Sequence, residues 1–127
     1  MSDQGYDYPS DDDLTRIKEW RVEWLNDGTH PLYGPWFAFI KSLWWMPEWG
    51  WSEKDGYDKD YDRPVRIYRI STGGWSGNED LLGAMENNFI NWTQTFVQMR
   101  RGGHYIFHAP RLNNTKPDAE TPQQEET

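Results

Sequence analysis

Cysteine is missing altogether from this chain of 127 residues, which removes disulfides and thiolate metal sites from consideration. Long apolar runs are scarce too. The longest, Trp36 to Met46, is interrupted by Lys41 and Ser42; it falls well short of the roughly 20 apolar residues of a membrane span and reads as a core helix. The opening MSDQGYDYPSDDD has neither the basic nor the apolar region of a secretion signal, so a cytoplasmic protein with no membrane association is expected. There is also no large basic field. The net charge is -8, but residues 1–13 hold five acids and no base, and residues 110–127 hold four acids against Arg111 and Lys116. The stretch 14–109 carries 12 acids and 11 bases, so the folded part is expected to be nearly neutral, and loose binding to nucleic acid or anionic lipid is disfavoured.

What is abundant is aromatic: nine Trp, seven Tyr and five Phe. In an otherwise polar chain the apolar material is therefore concentrated in a few large side chains, and a small aromatic core follows. Residues 1–11 and 110–127 are polar, punctuated by proline and without periodicity, and read as disordered tails around one domain, 12–109.

Within that domain a first helix is expected over Asp12–Asn26. Acids crowd its first turn, Leu14, Ile17, Arg21, Trp24 and Leu25 form a partly apolar stripe, and Gly28 supplies a stop. PWFAFIKSLWW opens with Pro35 at a favourable first helical position and ends before Pro47, a second, buried helix. Trp49 and Trp51 alternate with smaller residues as in a short strand, EKDGYDKDYD is a charged loop, and PVRIYRIST is a strand, so a hairpin is expected here. Ser76 and Glu79 fit a capping box. From there Leu82, Met85, Phe89, Trp92, Phe96 and Met99 step by three and four, which predicts one long helix closed by Arg100, Arg101, Gly102 and Gly103. HYIFH follows as a final strand. The fold class is α+β: one long helix in the C-terminal half and two N-terminal helices, packed on a short, mainly antiparallel sheet.

Two glycine-rich segments invite functional readings. GGWSG, residues 73–77, sits between strand and helix, where phosphate loops and nucleophile elbows also sit. The acids Glu79 and Asp80 already occupy the helix start, and no P-loop lysine is present. Asn78 stands where the elbow pattern needs its second glycine. What remains is a rigid turn that sets Trp75 either beneath the helix as a core plug or outward as an anchor for a partner. Gly73, Gly74, Trp75, Ser76, Gly77 and Asn78 are the leading contact candidates, with Trp49 and Trp51 as secondary ones.

The second segment, RRGGHYIFH, gathers Arg100, Arg101, His104 and Tyr105, a possible nucleic-acid contact group. At opposite ends of one helix the two segments would stand about 35 Å apart, which argues against one compact site. His104 and His108 share a strand face, but the spacing indicates no third metal ligand. Asp58, Asp60 and Asp62 begin like a calcium loop, yet Arg63 replaces its glycine and Arg69 its closing glutamate. No cofactor or metal is expected.

RISTGGWSGNED and RRGGHYIF, joined by a helical stretch and spanning about residues 66–107, resemble small uncharacterised proteins of tailed bacteriophages, particularly those of actinobacteria. The resemblance implies phage origin and brings no activity, catalytic residue or ligand with it. The expected function is that of a non-enzymatic accessory protein that binds a protein partner. The alternatives are a small nucleic-acid-binding or nucleic-acid-processing protein, and a small enzyme with His104 as general base. The apolar seam from Leu82 to Met99, with Ile90 and Val97 as a second strip, also leaves a homodimer open.

Overall fold

The computed structural model describes residues 8–24 and 31–111. In chain order these form α1 (Asp11–Lys18), β1 (Glu23–Trp24), β2 (Pro31–Leu32), α2 (Gly34–Leu43), α3 (Pro47–Gly50), β3 (Trp51–Asp58), β4 (Arg63–Ser71), α4 (Ser76–Asn87), α5 (Phe89–Thr95), β5 (Phe96–Arg100) and β6 (His104–Pro110). The fold is α+β, and its main sheet runs β3-β4-β6-β5 with every neighbouring pair antiparallel. A two-stranded ribbon pairs β1 with β2. Among the described residues no helix is long and apolar enough to cross a membrane.

The start of α1 is a complete capping box: the Asp13 amide donates to the Ser10 hydroxyl, and the Asp13 carboxylate accepts from the Ser10 amide. Its end departs from expectation, because the helix stops at Lys18 instead of running to Asn26 and Trp24 lies exposed in β1. Leu25, Asn26 and the expected Gly28 stop lie outside the described residues. The physical reason for the early end is that distant side chains satisfy the last carbonyls. The Trp36 indole donates to Ile17 O at 3.2 Å, and the Asn88 amide donates to Ile17 O and Trp20 O, both at 3.0 Å.

The second helix forms where the sequence places it, with Pro35 in the first turn and Trp36, Phe37 and Ile40 buried. Trp49 is not in a strand; it belongs to the single turn α3, and β3 begins at Trp51. The hairpin is present, but most of the charged segment taken for a loop is strand. Glu53 to Asp58 pair with β4, leaving only the link 59–62, closed by the Asp60 and Tyr61 amides on the Asp58 carboxylate. Charged residues are tolerated there because β3 is an edge strand, and Glu53 and Asp55 are both bridged by Arg66.

The expected single long helix is three elements. The chain leaves helical geometry at Asn88 (φ -88°, ψ 82°), whose side chain caps α5 by accepting from the Asn91 amide while its amide group holds the end of α1. After Thr95 the residues Phe96–Arg100 form β5. Leu82 and Met85 of the proposed seam are buried, but Phe89 and Met99 are exposed. The three-four spacing continued past the real helix end by coincidence.

Helices cover one face of the sheet. Phe37 stacks on Tyr68 with ring centres 3.9 Å apart and meets Phe107 edge-on at 5.5 Å. Trp36, Ile17, Leu81 and Met85 complete the fully buried centre. Because successive strand residues alternate between faces, Tyr68, Ile70 and Phe107 face this core, while Ser71 and His104 face the other way.

Candidate functional site at the glycine turns

Both glycine pairs adopt left-handed backbone: φ is 66° and 75° at Gly73 and Gly74, and 89° and 80° at Gly102 and Gly103. The second pair closes the β5–β6 hairpin; it does not stop a helix. Antiparallel pairing of β4 with β6 sets Ser71 opposite His104, and from there the two turns are stitched together. The Thr72 amide donates to Gly103 O at 3.0 Å, and a Cβ on Gly103 would come within 2.5 Å of the Thr72 hydroxyl. The two segments expected about 35 Å apart are therefore neighbours, since the chain breaks at Asn88 and doubles back through β5.

Trp75 is neither a fully buried plug nor a free anchor. It is partly exposed, its ring lies where a Cβ on Gly77 would stand, and Tyr8 and Trp45 flank it at 5.0 and 5.3 Å. The Ser76–Glu79 capping box is absent. Trp75 itself is the N-cap and makes no side-chain capping bond, and the Ser76 hydroxyl donates to the Tyr8 hydroxyl at 2.9 Å. Asn78 is buried and acts internally. Its side chain accepts from Trp45 N at 2.8 Å and donates to Trp45 O and Thr72 O, tying the α2–α3 link to the glycine turn.

The two secondary candidates separate. Trp51 is only 7% exposed, packs edge-on against Trp44 and donates to Glu53 at 2.9 Å, so it is a core residue and not a contact residue. Trp49 is 61% exposed, and its ring rests against Gly73, where a Cβ would sit 3.0 Å away. It is presented by Met46, a non-glycine residue held at φ 57° and ψ 55° immediately before Pro47. Such a conformation costs on the order of 1–3 kcal/mol and persists only where its surroundings impose it. Trp49, Trp75, Trp45, Tyr8 and the exposed Met46 thus form an aromatic rim around the first glycine turn.

The basic segment meets this rim through Thr72. Arg100 and Arg101 are exposed, and the His104 imidazole is hydrogen bonded to the Ser71 hydroxyl at 2.6 Å. Tyr105 does not join them. It lies on the helix side of the sheet against Trp92, where burial, with Glu86 and Glu79 nearby, raises the pKa of its hydroxyl. His108 is not paired with His104 either: it donates to Asp58 at 3.0 Å. Burial opposes ionisation of Asp58, but the bonds from His108 and from the Tyr61 and Asp60 amides outweigh it and hold the carboxyl below the usual carboxylate range. Among the described residues no group of three or more His, Asp or Glu is placed to hold a metal ion.

Ser71, Tyr8, Trp45 and Met46 are site residues that sequence reading did not single out. A signal existed for Met46, which precedes a proline and is thereby kept out of right-handed helix. None existed for Ser71, whose partner is set by strand pairing alone. No protein-family model, curated protein or solved structure matches the chain, so its functional reading rests on these residues.

Proposed function

We propose that this is a non-enzymatic, phage-encoded accessory protein that binds a protein partner in the host cytoplasm or during virion production. The observation that carries the reading is Trp49, a largely exposed indole held against Gly73 beside the partly exposed Trp75. Tryptophan in such a setting offers a large, rigid contact surface at low entropic cost. Arg100 and Arg101, one turn away, suit a partner that combines an apolar side chain with acidic groups.

The test is capture of partner proteins from nuclease-treated host lysate by the intact protein and by its Trp49→Ala variant. A hot-spot anchor is worth at least about 2 kcal/mol, so the variant should lose the captured protein while melting at the same temperature. Equal capture by both would remove the aromatic rim as the binding surface.

A second reading is favoured by the adjacency of arginines and indoles, which is also how single-stranded nucleic acid is held. Phosphate contacts make affinity fall steeply with salt. Absence of binding to short single strands at low ionic strength would eliminate it.

A further inference from the structure

Alternation along the strands sorts the charges of the main sheet by face. Glu53 and Asp55 stand on the side of Tyr68, toward the helices, where Arg66 bridges both. On the side turned away from the helices the register places Lys54, Arg69, His104 and Arg100, one from each strand in the order β3, β4, β6, β5. All four are exposed, and none forms an ion pair with another described residue. Asp58 is the one acid that the four strands place on this face; it is buried and already bonded to His108.

The four basic side chains follow one line. Lys54 stands opposite Ile67 and Arg69 opposite Ser52, so Lys54 and Arg69 are diagonal neighbours. Arg69 stands opposite Ile106 and Ser71 opposite His104, so Arg69 and His104 are diagonal neighbours as well, and Arg100 is directly opposite His104. Diagonal neighbours across a sheet lie about 7–8 Å apart and direct ones about 5 Å, so the line crosses all four strands in steps that long side chains bridge. The Ser71 hydroxyl bonds to His104 Nδ1 at 2.6 Å, which fixes the ring and leaves Nε2 as its free donor.

We infer that this diagonal is a phosphate track, and that its ligand is single-stranded nucleic acid laid across the strands with its phosphates on Lys54, Arg69, His104 and Arg100. The inference rests on the nucleic-acid reading of the arginines and indoles, and it moves the main contact from the turn to the sheet. Charge calls for a polyanion, and the neighbouring indole selects which one. Trp49 is 61% exposed against Gly73, two residues past Ser71, where it offers a face on which an unpaired base stacks. A run of acidic residues brings no ring to place there, and in a duplex the bases are already stacked on one another. Because the chain carries a net charge of -8, the rest of its surface repels the same ligand, and contact is confined to this face.

The experiment is fluorescence anisotropy of the full chain with a labelled oligothymidylate of about 16 nucleotides, at salt concentrations from about 20 to 200 mM. With three fixed cations on the track, log K should fall against log salt with a slope of about -2. Arg69→Ala/Arg100→Ala should bind about tenfold more weakly and lose about 1.4 of that slope. Lys18→Ala/Arg21→Ala removes the same charge from exposed positions in the helical layer and should change affinity less than about twofold at 0.1 M salt, where the screening length is about 10 Å. No binding by the parent at the lowest salt overturns the inference together with the nucleic-acid reading. Equal weakening by the two double variants overturns it as well, because the attraction is then not local. Binding that survives Arg69→Ala/Arg100→Ala and is lost in Trp49→Ala overturns the track alone and leaves the strand on the aromatic rim. Displacement of the oligonucleotide by polyglutamate at equal charge concentration makes an acidic peptide the ligand and also overturns it. If the alanine pair melts below the parent, Lys54→Ala decides: it must lose about 0.7 of slope, and an unchanged slope overturns the inference.

Discussion

Phe37, Tyr68 and Phe107 meet beneath the helices, with Phe37 and Tyr68 nearly parallel and 3.9 Å apart, whereas Tyr8, Trp75 and Trp45 meet at 5.0 and 5.3 Å, tilted, at the rim of a glycine turn. Both groups are aromatic, yet they are held by different means. The inner rings come from a helix and two strands, and each is locked by neighbours on all sides. The outer rings are only partly covered, and left-handed glycines, the Asn78 side chain and the strained Met46 link set their places. The first arrangement stabilises the fold, and the second keeps part of its ring surface at the solvent boundary.

That contrast can be broken from the inside first. Trp36→Ala removes a fully buried indole together with its bond to Ile17 O and should lower stability by about 3–5 kcal/mol, read from denaturant unfolding. A cost below about 1 kcal/mol would mean that the inner layer is not what holds the domain. Next comes Asn88→Ala, which takes donors from two carbonyls of the α1 end and the cap from α5. About 2 kcal/mol is expected, with loss of helical signal in circular dichroism.

At the rim the effects should be smaller and should separate. Trp75→Ala, which strips the cover from Gly77, should cost about 1–2 kcal/mol. Trp49→Ala should stay within about 0.5 kcal/mol and yet abolish partner capture. If either rim variant were destabilised as much as Trp36→Ala, inner and outer aromatics would be one continuous core and the distinction would fall.

The smallest effect is a matter of pH. Asp58 has its folded pKa held below the ordinary 3.8, so its contribution is present above that value and is lost as pH falls through the folded value. The melting-temperature gap between the parent and Asp58→Asn should therefore be widest at neutral pH and close in the acid range below about pH 4. A gap that grows toward acid would contradict the assigned bonds.

Much of this was legible locally. Pro35 followed by alternating bulky residues marks α2, and the β-branched run after Pro64 marks β4, because helix and strand impose different periods on a buried face. The Ser10–Asp13 cap was also within reach: the spacing is a local pattern, and reading it would have started α1 one residue earlier, at Asp11. The seam from Leu82 to Met99 misled for a physical reason. Its spacing obeys the helical period, but the Asn88 side chain is drawn out of the helix by Ile17 and Trp20, residues about 70 positions earlier, and no local window contains them. The site was half visible in the same sense: glycine pairs announce left-handed turns, but not which turns meet.

By itself the sequence determined the aromatic character of the core, the antiparallel α+β class and the left-handed turns at residues 73–74 and 102–103, since these follow from side-chain size, periodicity and local backbone sterics. Only the tertiary structure decided that the C-terminal half divides at Asn88, that Trp51 is buried while Trp49 is exposed, and that His104 and its arginines stand beside the tryptophan turn. Those outcomes depend on which strand pairs with which and on hydrogen bonds between residues far apart in the chain. Such contacts are set by the competition among all elements for one small core.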